Sequence, residues 1–364
     1  MAICYVDPVT GLDDVGTAGT AGDPYASIDY AEANHTLSTT EANTIFLANT
    51  SADVLSSVIT ITKATLEAPL TIEGWDNGGS LTCTLPNGRT QMCGEIDGND
   101  AVGSIVSAEA YVTFRYIKAH STTSYGIFLS TGGNVDSCEV YNGENRIVSA
   151  SGPVTNSYIH GDSFDANDYG IFSVGPVINC EVKGADVGIY STGVNAIITQ
   201  NLIHDVRTAG IRIAGDNQQI TNNTIDGDGA DSSAIGIKCF SSNSENATIL
   251  DNIISNWDGV SSIGIQDISG GGCREVGNNH FYNNTTDESY THTPHQVAAD
   301  VSLGTDPFEN LAGDDYSLAS GGAAIGAALF SNLDPDNPFN VGGWQSFAGG
   351  GGGGSGEPFY VSTS

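Results

Sequence analysis

The stretch "VGIYSTGVNAIITQNLIHDVRTAGIRIAGDNQQITNNTIDG", residues 187–227, contains one pattern twice. Gly188–Ile189 and Gly210–Ile211 each open a short run in which apolar and polar residues alternate. A second run follows each, "ITQNLIHD" at 198 and "ITNNTIDG" at 220, again with period two. Alternation of this kind marks β-strands, and Gly and Asn between the runs mark turns. Two short strands repeating every twenty-odd residues describe one coil of a solenoid.

Outward from this stretch the pattern continues in both directions. Ile127, Ile147, Ile171, Ile189, Ile211, Ile237 and Ile265 align in one column, six of them preceded by glycine. In the second run the fourth position reads Cys138, Ser157, Cys180, Asn201, Asn223, Asn252, Asn279. The sixth reads Val140, Ile159, Val182, Ile203, Ile225, Ile254, Phe281. The expected fold is all-β: a single-stranded right-handed parallel β-helix of roughly ten or more coils, stacked about 4.8 Å apart. Ile then sits on Ile, and inward Asn hydrogen-bonds up and down the stack. The glycine before each Ile is expected at a turn that needs positive φ. "VTFRYIKA" at 112 reads as an earlier, looser copy of the second run.

Composition agrees with such a fold and excludes several functions. Glycine is abundant (47), hydrophobic residues make up 39% and charged residues 15%. The 43 acidic against 10 basic residues give a net charge of −33, which repels nucleic acid and anionic membrane surfaces. No segment is apolar for the roughly 18 residues of a membrane span, and the start "MAICYVDPVTGLDD" has no signal-peptide pattern. Seven cysteines leave at least one thiol without an intramolecular partner. Cys83 and Cys93 flank a turn-like segment and are a candidate pair if oxidised. Cys138 and Cys180, two coils apart at about 9–10 Å, are too distant for a bond that needs Cα atoms within about 7 Å.

Both ends resemble a known group. "YVDPVTGLDDVGTAGTAGDPYASIDYA" (5–31) is similar to the entry segment of right-handed parallel β-helix repeat proteins of the pectate-lyase-like superfamily, which leads into a capping helix. "VITITKATLEAPLTIEGWD" (58–76) resembles their first full coils, and "DPFENLAGDDYSLASGGAAIGA" (306–327) with "PFNVGGW" (338–344) their closing segment. The implied organisation is an entry segment and cap over 1–57, coils over 58–300, a C-terminal closing segment over 301–347, and a glycine linker with tail over 348–364. The superfamily holds lyases, hydrolases, epimerases, phage tailspikes and inert fibre proteins, so the resemblance speaks to fold more than to function.

Positions five and seven of the second run should point outward, giving a face of Tyr116/Lys118, Glu139/Tyr141, Tyr158/His160, Glu181/Lys183, Leu202/His204 and Thr224/Asp226. Glu139 and Glu181 flank Tyr158 at about the upper end of the 6.5–9.5 Å carboxylate spacing of inverting glycosidases. They are the candidate acid and base of an enzymatic reading, with Tyr158, His160 and His204 as candidate sugar-binding groups. The expected alternative is a solvated sheet face. The outward column of the first run, Phe128, Val148, Phe172, Tyr190, Arg212, Lys238, Gln266, starts as an apolar-aromatic stripe. Such stripes mark contacts: a subunit interface first, with a carbohydrate platform or loop cover as alternatives. Acidic loops at Asp162/Asp165/Asp168 and Asp226/Asp228/Asp231 match no calcium-loop spacing and read as solvated turns, so neither metal nor cofactor is expected. The tail beyond Gly349–Gly354 carries Phe359, Tyr360 and Val361, a candidate strand for docking a partner. Together these features point to a non-enzymatic virion surface protein, a phage capsid decoration or fibre, with other virion proteins and host glycans as partners. The alternatives are a polysaccharide lyase, a glycoside hydrolase or a glycan-binding module.

Overall fold

Each coil contributes three short strands. The computed structural model describes residues 2–319 apart from 15, 62–63, 121, 142–144, 162–167, 228–229, 241–245, 269–272 and 311–314. One face is a twelve-stranded sheet that runs from Ala2–Val6 to His295–Gln296. The other two faces share a nineteen-stranded sheet that bends around a corner, and the strands Glu181–Ser191 and Leu202–Ile213 pass through both without a break. All pairings among the coils are parallel. Among the described residues the antiparallel ladders are two hairpins, Thr82–Leu85 with Arg89–Met92 and Phe308–Asn310 with Asp315–Leu318.

The core is built from columns, one per face. Ile72, Phe114, Val135, Val154, Val177, Ile198, Ile220 and Ile249 stack in register and are fully buried. Val140, Ile159, Val182, Ile203, Ile225 and Ile254 form the second column. Each aliphatic side chain contributes about 1.5–3 kcal/mol by leaving water. At the N-terminal end a helix over Ile28–Asn34, capped by the Ser27 side chain, seals the stack with Ile28 and Ala31. This is the capping helix expected after "PYASI".

Three details of the repeat differ from the reading of the sequence. First, the second run is two strands, not one. They meet at its third residue, which is left-handed in every coil: Ser137, Asn156, Asn179, Gln200, Asn222, Asp251 and Asn278 have φ between 52° and 59°. Asn and Asp tolerate that region best, hence the Asn-rich turns. Second, the glycines before the Ile column do not have positive φ. They are glycine because a neighbouring coil touches their Cα: a Cβ at Gly188 would lie 2.5 Å from Ile203 Cγ2 and 2.7 Å from the Gly210 carbonyl oxygen. Third, Val148, not Ile147, pairs with Ile127 and Ile171. Ile147 takes the glycine position instead, and its side chain reaches over Gly161.

The asparagine ladder forms as expected. The Nδ2 groups of Asn201, Asn223 and Asn252 donate to the next residue's Oδ1 at 2.9, 3.0 and 3.0 Å, and Asn279 ends the row on Asp300 at 3.0 Å. Cys138 and Cys180 hold the same position earlier in the stack, their thiols donating to the Asp136 and Ile178 carbonyls at 3.3 and 3.4 Å. Burial pushes the Cys180 thiol up to about 12, so it serves as a donor and not as a nucleophile.

Candidate functional site

The carboxylate-bearing face is a ladder of paired groups. In register, Glu95, Lys118, Glu139, Tyr158, Glu181 and Leu202 form one outward column, and Tyr141, His160, Lys183 and His204 belong to the next. The early copy of the run is therefore framed two residues later than its sequence suggests: Phe114 pairs with Val135, so Lys118 and His120 are the outward pair, while Tyr116 is a left-handed turn residue. His120, Tyr141 and His160 stack ring on ring at 4.8 Å, nearly parallel. Tyr158 leans on His160 at 4.5 Å. Each histidine faces a carboxylate: His120 Nε2 with Glu95 at 2.8 Å, His160 Nε2 with Glu139 at 3.5 Å, His204 Nε2 with Glu181 at 3.4 Å.

Glu139 and Glu181 do flank Tyr158, two coils apart. Yet the face is not the open surface expected from the sequence. The Thr82–Met92 hairpin folds over its early coils, and the Thr84 backbone N–H donates to Glu139 at 2.6 Å, which leaves Glu139 only 7% exposed. Cys83, Cys93 and Leu85 bury against Tyr116 beneath that hairpin. At the other end the closing hairpin lays Tyr316 against His204, ring to ring at 4.8 Å, and buries it. Tyr316 also reaches Asp226, which already accepts from Ser255 and Asn256 at 2.8 and 2.7 Å. Tyr158, His160, Glu181 and Lys183 lie half-buried between these two covers.

The charge states keep Glu139 an ionised carboxylate and Lys183 an ammonium. Burial alone would raise the Glu139 carboxyl, but His160, the Thr84 N–H and Lys118 outweigh it and hold it below the usual range. Burial would likewise lower Lys183, but Tyr158, Glu181 and Asp205 raise it. A general acid needs a raised carboxyl and a lysine base a depressed amine, the reverse of both shifts. His204 is pushed up to about 9, because Asp205 at 3.0 Å and Glu181 overcome its burial. Its folded value lies above the unfolded one, so its stabilisation is complete below about pH 6.5 and is lost as pH rises through 9. The shift corresponds to about 3 kcal/mol. Denaturant titrations of wild type and His204→Gln from pH 6 to 10 should show this alkaline loss in the wild type alone.

The second candidate, on the adjoining face, has different chemistry. Phe128, Phe172 and Tyr190 stand outward in one column as expected, but Val148 is core, and the buried Ser149 occupies its place in the column. Arg146, unnoticed in the sequence, pairs with Tyr125 and Tyr169 and lays its guanidinium 3.8 Å from the Phe172 ring centre. Tyr169 and Phe172 contact Tyr190 at 5.1 and 5.3 Å. Arg212 covers Tyr190 at 5.0 Å and Phe240 at 3.4 Å, and Lys238 follows in register. Rings and cations thus share one strip over six strands, about 24 Å at 4.8 Å per coil. Arg146, Arg212 and Lys238 make no ion pair among the described residues, and the buried Arg212 Nε has no hydrogen-bond partner there. Lys238 is lowered by burial and by Arg212 beside it.

Among known structures, pectate lyase Pel9A aligns over 95% of this chain and 96% of its own, with 15% identity and a TM-score of 0.65. This chain has the right-handed parallel β-helix fold. XylC in complex with xylose aligns over 84% of this β-helix and 86% of its own chain (7% identity, TM-score 0.52). A glycoside hydrolase aligns over 84% and 97% (9% identity, TM-score 0.52). At these identities the likeness is one of fold. A family model described as "Protein of unknown function (DUF1565)" matches residues 130–307, the regular coils of the β-helix. No curated protein matches the sequence. No group of three His, Cys, Asp or Glu side chains placed to hold a metal occurs among the described residues, and no helix there is long and apolar enough to cross a membrane. Asp162, Asp165 and Asp228 of the acidic loops, and Phe359, Tyr360 and Val361 of the tail, lie outside the described residues.

Proposed function

We propose that this β-helix is a non-enzymatic, glycan-contacting virion surface protein that holds acidic saccharides on its ring-and-guanidinium strip. One observation carries the reading. On a chain of net charge −33, three cations gather on one face with no carboxylate partner among the described residues. Guanidinium groups take carboxylates and sulfates bidentately, and aromatic rings offer apolar area to sugar rings. The strip's length suits an extended chain of several sugars. Fold neighbours named for pectate and xylose agree with a saccharide ligand, and the sequence beyond six glycines, with Phe359, Tyr360 and Val361, offers a segment for attachment to a particle.

The test is a calorimetric comparison of an acidic oligosaccharide with its neutral counterpart. The acidic form should bind more tightly, and Arg146→Gln with Arg212→Gln should weaken it at least tenfold, since a charge-assisted hydrogen bond is worth about 1.5–3 kcal/mol. Equal binding of both forms, unchanged in the double variant, would sink the proposal. Co-purification with intact particles tests the virion placement.

A second reading rests on the Glu139–Tyr158–Glu181 spacing: cleavage as a lyase or glycosidase. It requires turnover that Glu139→Gln and Glu181→Gln abolish. The cover over Glu139 argues against it, and the depressed carboxyl of Glu139 fits the base of such a pair and not the acid.

A further inference from the structure

The sequence singles out Cys83 and Cys93 as a candidate pair, and these two thiols do meet beneath the first hairpin; a second sulfur–sulfur contact lies near the other end of the stack. All seven cysteines are free thiols, and Cys138 and Cys180 are committed to backbone carbonyls. Cys239 and Cys273 have no such partner among the described residues. Their sulfurs lie 3.0 Å apart, inside the ~3.5–4.0 Å optimum even for two carbon atoms. Cys239 ends the strand Ile235–Cys239 on one sheet, and Cys273 opens the strand Cys273–Gly277 on the other, 34 residues later.

We propose that Cys239 and Cys273 form a disulfide that ties the two sheets together across a coil corner near the C-terminal end of the stack. Its position addresses a weakness of solenoids, which fray from their ends because each coil contacts only its neighbours. In the last described coil Glu288 stands in the column that Ile265 and Ile237 fill before it, so the apolar stack stops there. A bond one coil earlier closes a long loop and restrains the unfolded chain, the main way a disulfide stabilises.

The two thiols play different parts. Cys273 is 7% exposed and Cys239 fully buried, so a small oxidant meets Cys273 first. The neighbouring thiol and burial hold Cys239 well above the ordinary thiol range, so it stays protonated until Cys273 is oxidised, and its attack depends on the close contact between the two sulfurs. With a peroxide as oxidant, the Cys273 sulfur attacks one peroxide oxygen, breaking the O–O bond and giving a sulfenic acid and water. The Cys239 sulfur then displaces the hydroxyl group as an S–S bond forms, and the thiol proton leaves with it as a second water. Two thiols lose two electrons, and one peroxide gains them. The bond belongs to an oxidising medium, and the protein as first made in a reducing cytoplasm carries both thiols.

The experiment compares full-length protein purified under reducing conditions with the same protein after hydrogen peroxide. Thiols are alkylated in denaturant and peptides are mapped without reduction. The expected result is one cross-linked peptide pair joining Cys239 to Cys273, loss of two alkylatable thiols, and a melting temperature several degrees higher, all reversed by reductant. Cys273→Ala, at the less buried position, should keep the fold and lose the peroxide-dependent rise. Two outcomes would overturn the proposal, and both can be read from wild type alone. In one, both thiols stay alkylatable. In the other, Cys273 is oxidised to sulfinic acid with no cross-link.

Discussion

Replacing Asn223 with leucine should lower stability by about 4 kcal/mol, although the two side chains are similar in size. The cost comes from the groups left behind. Asn223 Nδ2 donates to the Ile198 and Thr221 carbonyls at 2.9 and 3.1 Å and to Asn252 Oδ1 at 3.0 Å. Its Oδ1 accepts from the Asn201 backbone N–H at 3.1 Å and from Asn201 Nδ2 at 2.9 Å. The three asparagines are fully buried, and each stranded donor or acceptor costs about 1–3 kcal/mol. Apolar gain from leucine offsets only part of that. Thr221→Val is the control: its hydroxyl bonds Thr199 at 3.1 Å on the half-buried outer side, and its loss should cost under about 1 kcal/mol. Urea midpoints of the two variants decide it, and a loss at Asn223 no larger than at Thr221 would mean the ladder is ornamental.

That ladder links the fold to its proposed ligand. A rigid spacing between coils fixes the distance from Arg146 to Arg212, both already held against rings. A ligand meeting such a strip need not order it first, which lowers the entropic cost of binding.

The coils were legible because every turn of the solenoid repeats one environment, so Ile, Asn and small residues recur in columns. What broke the column was harder to read. Arg146 escaped notice because Ile147 occupies a glycine position and shifts the apparent frame by one. His120 escaped because its coil has Ile117 where later coils place Cys, Ser or Asn, so nothing marked the ladder position. The covers over Glu139 and His204 follow from contacts between residues 55 positions apart or more, Thr84 with Glu139 and Tyr316 with Asp226. No periodicity encodes such contacts. A carboxylate that reads as exposed in its strand is thus closed off by a hairpin from two coils earlier.

Gly210→Ala tests the corrected meaning of the glycine column. Gly210 does not have positive φ, so alanine is conformationally allowed there. By backbone entropy alone the change would stabilise by about 0.4–1 kcal/mol. Space decides otherwise. The new Cβ would stand 2.3 Å from Ile225 Cγ2 and 2.7 Å from the Gly236 carbonyl oxygen, and the latter is backbone that cannot turn aside. Overpacking of this kind costs typically 1–3 kcal/mol, so the net effect should be a loss of about 2 kcal/mol. Gly22→Ala, where no atom lies within 4 Å and φ is not positive, should be neutral or slightly stabilising. Ile225→Ala removes one of the two clashing atoms, so in the double variant with Gly210→Ala the two losses should sum to less than their total, with a coupling of about 1 kcal/mol. Full additivity would show that the coils can move apart at no cost, and the close approach at Gly210 would then not be what selects glycine.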